Sequence, residues 1–308
     1  NFATKLWNAA RFCEMNGCRP IATFDPTHCT LTINRWIVGE MVRLTTRVDE
    51  SLKDFRFNEA ALAIYHVAWG TFCDWYLEFV KLPLQTGSES ELFETRATCA
   101  WALDQILLLI HPFMPFISAE LWQRMPEEGR AGVIRSAWPT FADNIVHKSA
   151  DAEVEWTITL ITQIRAVRSE LRLPAGAIIP MIVESASEEN LERLGSQKAQ
   201  IMRLARISEC SFRHEAPSVR EKGAVQLVID EAIVVLPLEG VIDVAEEKAR
   251  LAREVEKTSN EIQKIKKKLD NKNFVSKAPQ HVVEDQRARK LEAETRIEKL
   301  LAAKERFT

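Results

Sequence analysis

The distribution of tryptophan and glycine constrains this chain most, because it separates regions of different composition. All eight tryptophans precede residue 157, and Gly240 is the last glycine of the 308 residues. Residues 1–150 carry 14 basic and 17 acidic groups, whereas residues 241–308 carry 17 basic and 13 acidic groups. Such shifts are typical of separate structural units. We therefore predict three units, formed by 1–150, 151–240 and 241–308.

Composition and charge exclude several classes of protein. With 46% apolar and 28% charged residues, the chain can form a sizeable core and is not a disordered polymer. No stretch approaches 18 consecutive apolar residues, so we expect no membrane span. The six cysteines never form a C-x-x-C pair, which favours reduced thiols, a cytoplasmic location and no bound metal. The chain opens on Asn1 without an apolar leader, and we expect it to be a piece of a longer protein.

The first unit has the hydrophobic periodicity of amphipathic helices. Helices are expected over 31–52, over 58–82, from about 89 to 110, and after Pro115. The stretch 58–82 has apolar residues at alternating steps of three and four, which predicts one continuous helix with a single buried face: Leu62, Tyr65, Trp69, Phe72, Tyr76 and Phe79. Four or five such helices with short connections indicate a bundle.

The remaining units are predicted to differ from the bundle and from each other. Residues 151–240 read as a small α/β unit, with helices up to Leu173 and over 187–206 and with β-like runs at 178–183, 209–213, 224–229 and 232–236. Residues 241–308 begin with a heptad seam from Leu251 to Leu269, and Pro279 restarts a second helix. The expected fold class is therefore mainly α, with a helical bundle, a small α/β unit and a C-terminal antiparallel coiled-coil hairpin about 40 Å long.

Catalytic signatures are missing from the sequence. It contains no G-x-S-x-G, no phosphate-binding glycine loop and no H-E-x-x-H. The adjacent pair His28 and Cys29 is a weak candidate for a metal or nucleophile site, and a loop histidine beside a half-buried cysteine is the simpler interpretation. The sequence thus favours a binding portion over a catalytic one.

Two surfaces are candidates for nucleic-acid binding. On the opening helix, Lys5 and Phe12 share one side while Arg11 faces away, so the Phe12 ring either stacks on an unpaired base or packs against a neighbouring loop. On the hairpin, nine basic residues oppose three acidic ones between residues 262 and 290, which favours a polyanion over an ordinary solvated face. The nine are Lys264, Lys266, Lys267, Lys268, Lys272, Lys277, Arg287, Arg289 and Lys290. A third cluster, Arg165, Arg168 and Arg172, is expected to be a solvated helix face rather than a phosphate contact.

Five segments resemble valyl-tRNA synthetases in the order that this family has them. They are NFATKLWNAARF (1–12), FCDWYLEFVK (72–81), HPFMPFISAELWQ (111–123), IRAVRSELRLP (164–174) and LDNKNFVSKAPQHVVEDQRARK (269–290). The first three resemble the anticodon-binding domain, and the last resembles the tip of the family's coiled-coil arm.

This resemblance implies that the chain binds tRNA and that it lacks the catalytic part of the enzyme. It implies that Lys5, Arg11 and Phe12 engage the anticodon of tRNA-Val, with the ring stacked on a base. It also implies that the arm holds the outer surface of the tRNA through Lys264, Lys267, Lys268, Lys272, Lys277, Arg287, Arg289 and Lys290. The family's His-Ile-Gly-His and Lys-Met-Ser-Lys-Ser signatures are missing, so ATP is expected to bind only to the rest of a monomeric parent enzyme, and this piece is expected to be inactive alone.

Two kinds of alternative stay open at this point. Isoleucyl- and leucyl-tRNA synthetases share the helical bundle, but the bacterial isoleucyl enzyme commonly ends in a cysteine zinc site, and the last cysteine here is Cys210. A coiled-coil scaffold that binds protein is the alternative from another class. Salt-dependent affinity for RNA would distinguish a tRNA-binding protein from that scaffold.

Overall fold

A computed structural model describes residues 1–125, 129–142, 145–213, 223–241, 243–271 and 279–305 of the chain. The longer elements follow in chain order: α1 (Phe2–Met15), α2 (Thr32–Lys53), α3 (Phe57–His66), a π-helical segment (Val67–Tyr76), α4 (Leu77–Phe79), α5 (Lys81–Thr86), α6 (Glu89–Ile110), α7 (Pro115–Arg124), α8 (Lys148–Glu170), β1 (Ile179–Glu184), α9 (Glu188–Ala205), β2 (Ile207–Arg213), β3 (Ala224–Ile229), β4 (Ala232–Pro237), α10 (Val244–Asp270) and α11 (Gln280–Glu305).

The described residues form two compact units, Asn1–Ile158 and Thr159–Thr308. Helices dominate the first unit, and the second holds both a small mixed sheet and the paired helices α10 and α11. The predicted fold class is therefore confirmed. The division into three units, based on composition, stays a prediction. Within the described residues, no helix is both long and apolar enough to cross a membrane.

The first unit is a helical bundle built around α2 and α6. Both helices have the predicted boundaries to within a residue or two, and α6 begins with a capping box between Ser88 and Glu91. The N-terminus of α2 has no cap from its own N-cap residue, Leu31. Instead the Glu94 carboxylate accepts hydrogen bonds from the backbone N–H groups of Thr30 and Leu31, at 3.0 and 2.9 Å. A carboxylate on α6 thus caps a helix that is distant in sequence.

The helix predicted over 58–82 is present from Phe57 to Phe79, but the prediction of a single buried face along it is wrong. Helix α3 ends at His66 and gives way to the π-helical segment, which hydrogen-bonds with an i→i+5 pattern. The wider turn rotates the preceding residues off the expected face, so that Leu62 and Tyr65 are exposed. Phe72, Tyr76 and Phe79 are buried as predicted, whereas α3 packs with small side chains and one isoleucine: Ala60, Ala63 and Ile64.

The sheet of the second unit has the strand order β2-β1-β4-β3. Strand β1 pairs in parallel with β2, through the crossover helix α9, and antiparallel with β4. Strands β3 and β4 form a hairpin whose two-residue turn is Asp230-Glu231, where Asp230 has a left-handed φ of 51°. All four predicted β-runs are confirmed. The alternating burial along β3 shows that one of its faces packs on the core.

Helices α10 and α11 pack along each other through a heptad seam. On α10, Leu251, Thr258 and Ile265 are buried at steps of seven, as predicted. The facing stripe on α11 consists of Val283, Ala293 and Ala303. With 27 residues, α10 is about 40 Å long at 1.5 Å per residue. We call α10 and α11 together the arm.

Candidate nucleic-acid interface

The polar side of α1 faces the π-helical segment. Lys5 Nζ lies 2.5 Å from Asp74 Oδ1 and 4.8 Å from the centre of the Trp69 ring. Phe2, one turn earlier, packs against Tyr65 and Trp69, with ring centroids 5.2 and 6.5 Å away. The ion pair with Asp74 positions the Lys5 ammonium group. Because the Lys5 side chain is still 31% exposed, the group is also accessible to a ligand. Such an ion pair in water is weak, typically below about 1 kcal/mol, and a phosphate can compete for the lysine.

Phe12 and Arg11 lie on the same helix but face different neighbours. Phe12 is half-buried and lies two turns along the helix from Lys5, on the same side. Arg11 is exposed and lines a cleft with Trp7 and with Arg124 of α7. The predicted residues Lys5, Arg11 and Phe12 are thus not gathered at one point.

Arg124 is a candidate binding residue that sequence reasoning missed. Its guanidinium carbon lies 4.3 Å from the centre of the Trp7 ring, and its Nε donates to Glu120 at 3.1 Å. Arg124 stacked on the Trp7 indole, beside the exposed Arg11, forms a surface that can bind a phosphate or a base. No sequence signal connected Arg124 to α1, because Arg124 and Trp7 meet only through the packing of α1 on α7.

The predicted cations of the arm are mostly exposed. Lys264, Lys266, Lys267, Lys268, Arg287 and Arg289 are exposed, and Lys290 is half-buried. Arg289 pairs with Asp285 at 3.2 Å and Lys290 with Glu294 at 3.2 Å, so these two charges are partly offset. The predicted residues Lys272 and Lys277 lie outside the described residues.

Three further arm cations, Arg253, Lys257 and Arg296, were not predicted and lie near the predicted Lys264. Arg253, Lys257 and Lys264 of α10 line a wide groove together with Arg296 of α11. Arg296 Nη2 lies 3.7 Å from Glu254 Oε2, as expected where the two helices run side by side. The steps of four and seven between the α10 cations were visible in the sequence as one helix face. Glu256 and Glu261 line the same groove, so the cations in the middle of α10 are partly offset, unlike those in its last turn.

The three arginines around the end of α8 have structural partners. Arg165 Nε donates to the Leu204 carbonyl at 3.1 Å, and Arg168 Nη2 donates to the Ala177 carbonyl at 2.6 Å. Arg172 Nη2 donates to Glu254 at 3.0 Å. The prediction of a solvated face is confirmed for Arg165 and Arg172, which are exposed, whereas Arg168 is half-buried. The same hydrogen bonds also join α8 to α9, to the start of the sheet and to the arm.

Glu254 is the centre of an ionic network at the base of the arm. Besides Arg172, it accepts a hydrogen bond from Arg250 Nη1 at 2.6 Å, and Arg250 Nη2 donates to the Glu170 carbonyl at 3.2 Å. Partial burial opposes ionisation of Glu254, but the hydrogen bond and charge of Arg250, aided by Arg172 and Arg296, lower its pKa below the ordinary value. The network therefore ties α10 to α8 within the second unit.

His28 and Cys29 do not form a shared site. His28 is exposed beside Asp25, with its Nε2 4.0 Å from the carboxylate. Cys29 is buried, and its Sγ lies 3.3 Å from Thr98 Oγ1. Burial raises the pKa of the Cys29 thiol to about 11, which makes it a poor nucleophile.

Comparison with known families matches two separate parts of the chain. Residues 34–183 match the anticodon-binding domain of tRNA ligases. Residues 243–307 match the tRNA-binding arm of valyl-tRNA synthetases. The first match covers most of the helical bundle apart from α1, and the second covers the arm.

Curated relatives match the whole chain, including α1. The valine–tRNA ligase of Brucella melitensis is 43% identical over 312 residues, which cover all of this chain and 33% of the relative. The valine–tRNA ligases of Nitrobacter winogradskyi and Zymomonas mobilis are 40% and 42% identical, again over all of this chain, and it covers 35% and 34% of them. The chain thus spans about a third of the length of these relatives. With an anticodon-binding domain and a valyl-type arm in one chain, and with valine–tRNA ligases similar over its whole length, the chain belongs to the valyl-tRNA synthetase family.

Proposed function

We propose that this chain is the tRNA-recognition portion of a valine–tRNA ligase and that its partner is tRNA-Val. The observation that carries the proposal is the presence, in one chain, of a helical anticodon-binding domain and an arm with exposed cations at the end of α10. Folded tRNA offers an anticodon loop with unpaired bases and an outer surface made of phosphates. The two surfaces of this chain have the matching chemistry.

The anticodon is read by α1 in this proposal. Lys5 presents an accessible ammonium group, and Phe12 presents a half-buried ring on the same side of the helix. A ring stacked on an unpaired base gives affinity, while a lysine beside it reaches a base edge or a phosphate. Arg11 faces the cleft with Trp7 and is assigned a contact to the tRNA backbone.

The arm holds the outer surface of the tRNA in this proposal. Lys264, Lys267 and Lys268 are exposed on α10, and Arg287 is exposed on α11. Contacts from such side chains to phosphates carry little sequence information but contribute strongly to affinity. Lys272 and Lys277 are proposed to join them, as are the partly offset charges of Arg289 and Lys290.

We further propose that the parent enzyme is a cytoplasmic monomer that attaches valine to tRNA-Val with ATP. The two family matches concern tRNA-binding parts, which supports an ATP site elsewhere in the parent. This chain alone should then give only background ATP–pyrophosphate exchange with valine. Exchange above background by the pure chain would contradict this assignment.

Titration of the chain with tRNA transcripts tests the proposal. We expect salt-dependent binding of tRNA-Val, and weaker binding of a tRNA-Val whose anticodon is replaced. A scaffold that binds protein would have no salt-dependent affinity for either transcript. The matching portion of an isoleucyl or leucyl enzyme would prefer the corresponding tRNA instead.

A further inference from the structure

Three cysteine thiols meet inside the helical bundle of the first unit. The sulfur atoms of Cys13, Cys18 and Cys99 all lie within 4.8 Å of one another. The Cys13 and Cys99 sulfurs are 3.4 Å apart although the residues are 86 positions apart in sequence. All three side chains are fully buried.

The local backbone explains how Cys13 and Cys18 come to face each other. Helix α1 ends at Met15, and Gly17 has a left-handed φ of 70°, which folds the chain back on the last turn of the helix. The Cys18 N–H then donates to the Cys13 carbonyl at 2.9 Å. Cys99 enters from α6, on the opposite side. The three sulfurs thus come from the last turn of α1, from the turn that follows it, and from the middle of α6.

We propose that Cys13, Cys18 and Cys99 form a three-thiolate site for a soft d10 cation, Zn²⁺ or Cu⁺. A zinc–sulfur bond of about 2.3 Å places two coordinating sulfurs roughly 3.8 Å apart. The Cys13–Cys99 separation is 3.4 Å and no pair exceeds 4.8 Å, so the sulfurs need to move apart or together by only about 1 Å or less. Thiolate ligands select these ions over Mg²⁺ or Ca²⁺.

The surroundings offset the charge of such a site. Three thiolates and Zn²⁺ carry a net charge of −1, which is costly in a buried position unless a cation lies nearby. The Arg96 guanidinium group is fixed beside the same turn: its Nε donates to the Asn16 carbonyl at 2.8 Å and lies 3.5 Å from the position of a β-carbon on Gly17. Binding releases the thiol protons to solvent, so the site should bind more tightly as the pH rises.

Packing alone is the competing explanation, because cysteine is also a small core residue. Cys210 illustrates that role: it is buried in β2 of the other unit and belongs to no such cluster among the described residues. Core packing of Cys13, Cys18 and Cys99 requires no affinity for a metal. The two explanations therefore differ in a direct measurement.

The experiment titrates the metal-free 308-residue chain, kept reduced with a non-thiol reductant. Cd²⁺ serves as the optical probe, since cadmium thiolates absorb in the ultraviolet. We expect one Cd²⁺ per chain, with at least a tenfold loss of affinity in Cys18→Ser and in Cys99→Ser. Cys29→Ser and Cys73→Ser are matched controls in the same unit and should bind as the unsubstituted chain does. Displacement of Cd²⁺ by Zn²⁺ or by Cu⁺ then tells which of the two ions the site prefers.

A second measurement covers variants that fold poorly. One equivalent of the preferred ion should raise the melting temperature of the unsubstituted chain, because only the folded state assembles the site. The proposal is overturned if the unsubstituted chain gives neither a thiolate band nor a melting shift. It is also overturned if the band survives in a folded Cys18→Ser variant, or if Cys73→Ser removes it.

Discussion

Lys5 and Asp74 form an ion pair of 2.5 Å between α1 and the π-helical segment, directly beside the Trp69 ring. Trp69 and Asp74 are five residues apart, which in an α-helix would place them about 140° from each other around the axis. In the i→i+5 pattern of the π-helix they lie one turn apart and share a face. The π-helical turn is therefore what allows both side chains to contact the same lysine.

This pair yields a prediction about tRNA affinity. Lys5→Ala should weaken binding of tRNA-Val and reduce the slope of log affinity against log salt by about one unit, since one phosphate-directed cation is lost. Asp74→Asn should tighten binding by up to about fivefold, because an exposed ion pair of about 1 kcal/mol or less no longer competes with the tRNA for Lys5. Fluorescence titration at several salt concentrations measures both effects. Unchanged affinity and slope in Lys5→Ala would show that the lysine only joins the two elements.

Phe12→Ala separates stacking on a base from packing in the fold. If the half-buried ring stacks on an anticodon base, its loss should cost about 1.4 kcal/mol of binding, a tenfold drop in tRNA affinity. The melting temperature should stay within a few degrees. Binding and thermal unfolding are to be measured on the same sample.

Phe2→Ala is the matched control for Phe12→Ala, on the same helix. Its ring packs against Tyr65 and Trp69, so we expect a lower melting temperature and tRNA affinity within about twofold of the original. If instead Phe12→Ala melts early and the folded fraction binds tRNA normally, Phe12 is a packing residue.

Periodicity in the sequence predicted the elements whose geometry is regular. The helices α2 and α6, the four strands and the seam of α10 follow from residues that repeat at steps of about 3.6, 2 and 3.5. The π-helical segment could not be predicted in this way. Leu62 and Tyr65 fit the helical pattern perfectly well, yet the wider turn after His66 places them in solvent.

Contacts between distant residues were the other limit of sequence reasoning. Arg172 looked like one of three surface cations, but its partner Glu254 lies on another helix. The cysteine cluster was invisible for the same reason, because Cys13 and Cys18 have the wrong spacing for a C-x-x-C pair and Cys99 comes from α6. For the predicted binding residues of α1 and for those of the arm that lie within the described residues, the structure gives positions, and their roles stay predictions.

Glu94 should make the folding stability of the bundle depend on pH. Partial burial opposes ionisation of this carboxyl, but hydrogen bonds from Thr30, Asn34 and Leu31 outweigh it and lower the pKa of Glu94 below its ordinary value. A carboxyl with a lowered pKa in the folded state stabilises the fold above its unfolded pKa of about 4.3, and this contribution disappears as the pH falls through the folded value. At pH 7, Glu94→Gln should lower the free energy of unfolding by about 1–3 kcal/mol.

Urea unfolding at several pH values measures this effect. The difference in the free energy of unfolding between the original chain and Glu94→Gln should be full at neutral pH. It should shrink below about pH 4.3, as the carboxyl becomes protonated first in the unfolded and then in the folded chain. Glu50→Gln, at an exposed position of α2, removes the same charge and should change stability by less than about 0.5 kcal/mol. If the loss of unfolding free energy in Glu94→Gln were independent of pH, the cap would act through the packing of the side chain and not through its charge.

The exposed lysines of the arm should determine how strongly tRNA affinity depends on salt. Lys267 and Lys268 lie exposed in the last turn of α10, where they also interact favourably with the helix dipole. Replacing both with Ala should weaken binding of cognate and non-cognate tRNA alike, because phosphate contacts do not report sequence. The slope of log affinity against log salt should decrease by up to about two units.

Two other lysines of the arm serve as a control that distinguishes direct contact with the tRNA from long-range electrostatic attraction. Lys299 and Lys304 are exposed on α11 toward the opposite end of the arm from Lys267 and Lys268, and their replacement by Ala removes the same total charge. If the arm grips tRNA near the end of α10, only the Lys267/Lys268 variant should lose slope, and the Lys299/Lys304 variant should lose a little affinity through the longer-range field. Since two dipole-stabilising lysines contribute at most about 2 kcal/mol to the arm, a melting curve of each variant shows whether α10 stays folded. Equal losses of slope in the two variants would contradict a defined contact and leave the arm as a diffuse basic surface.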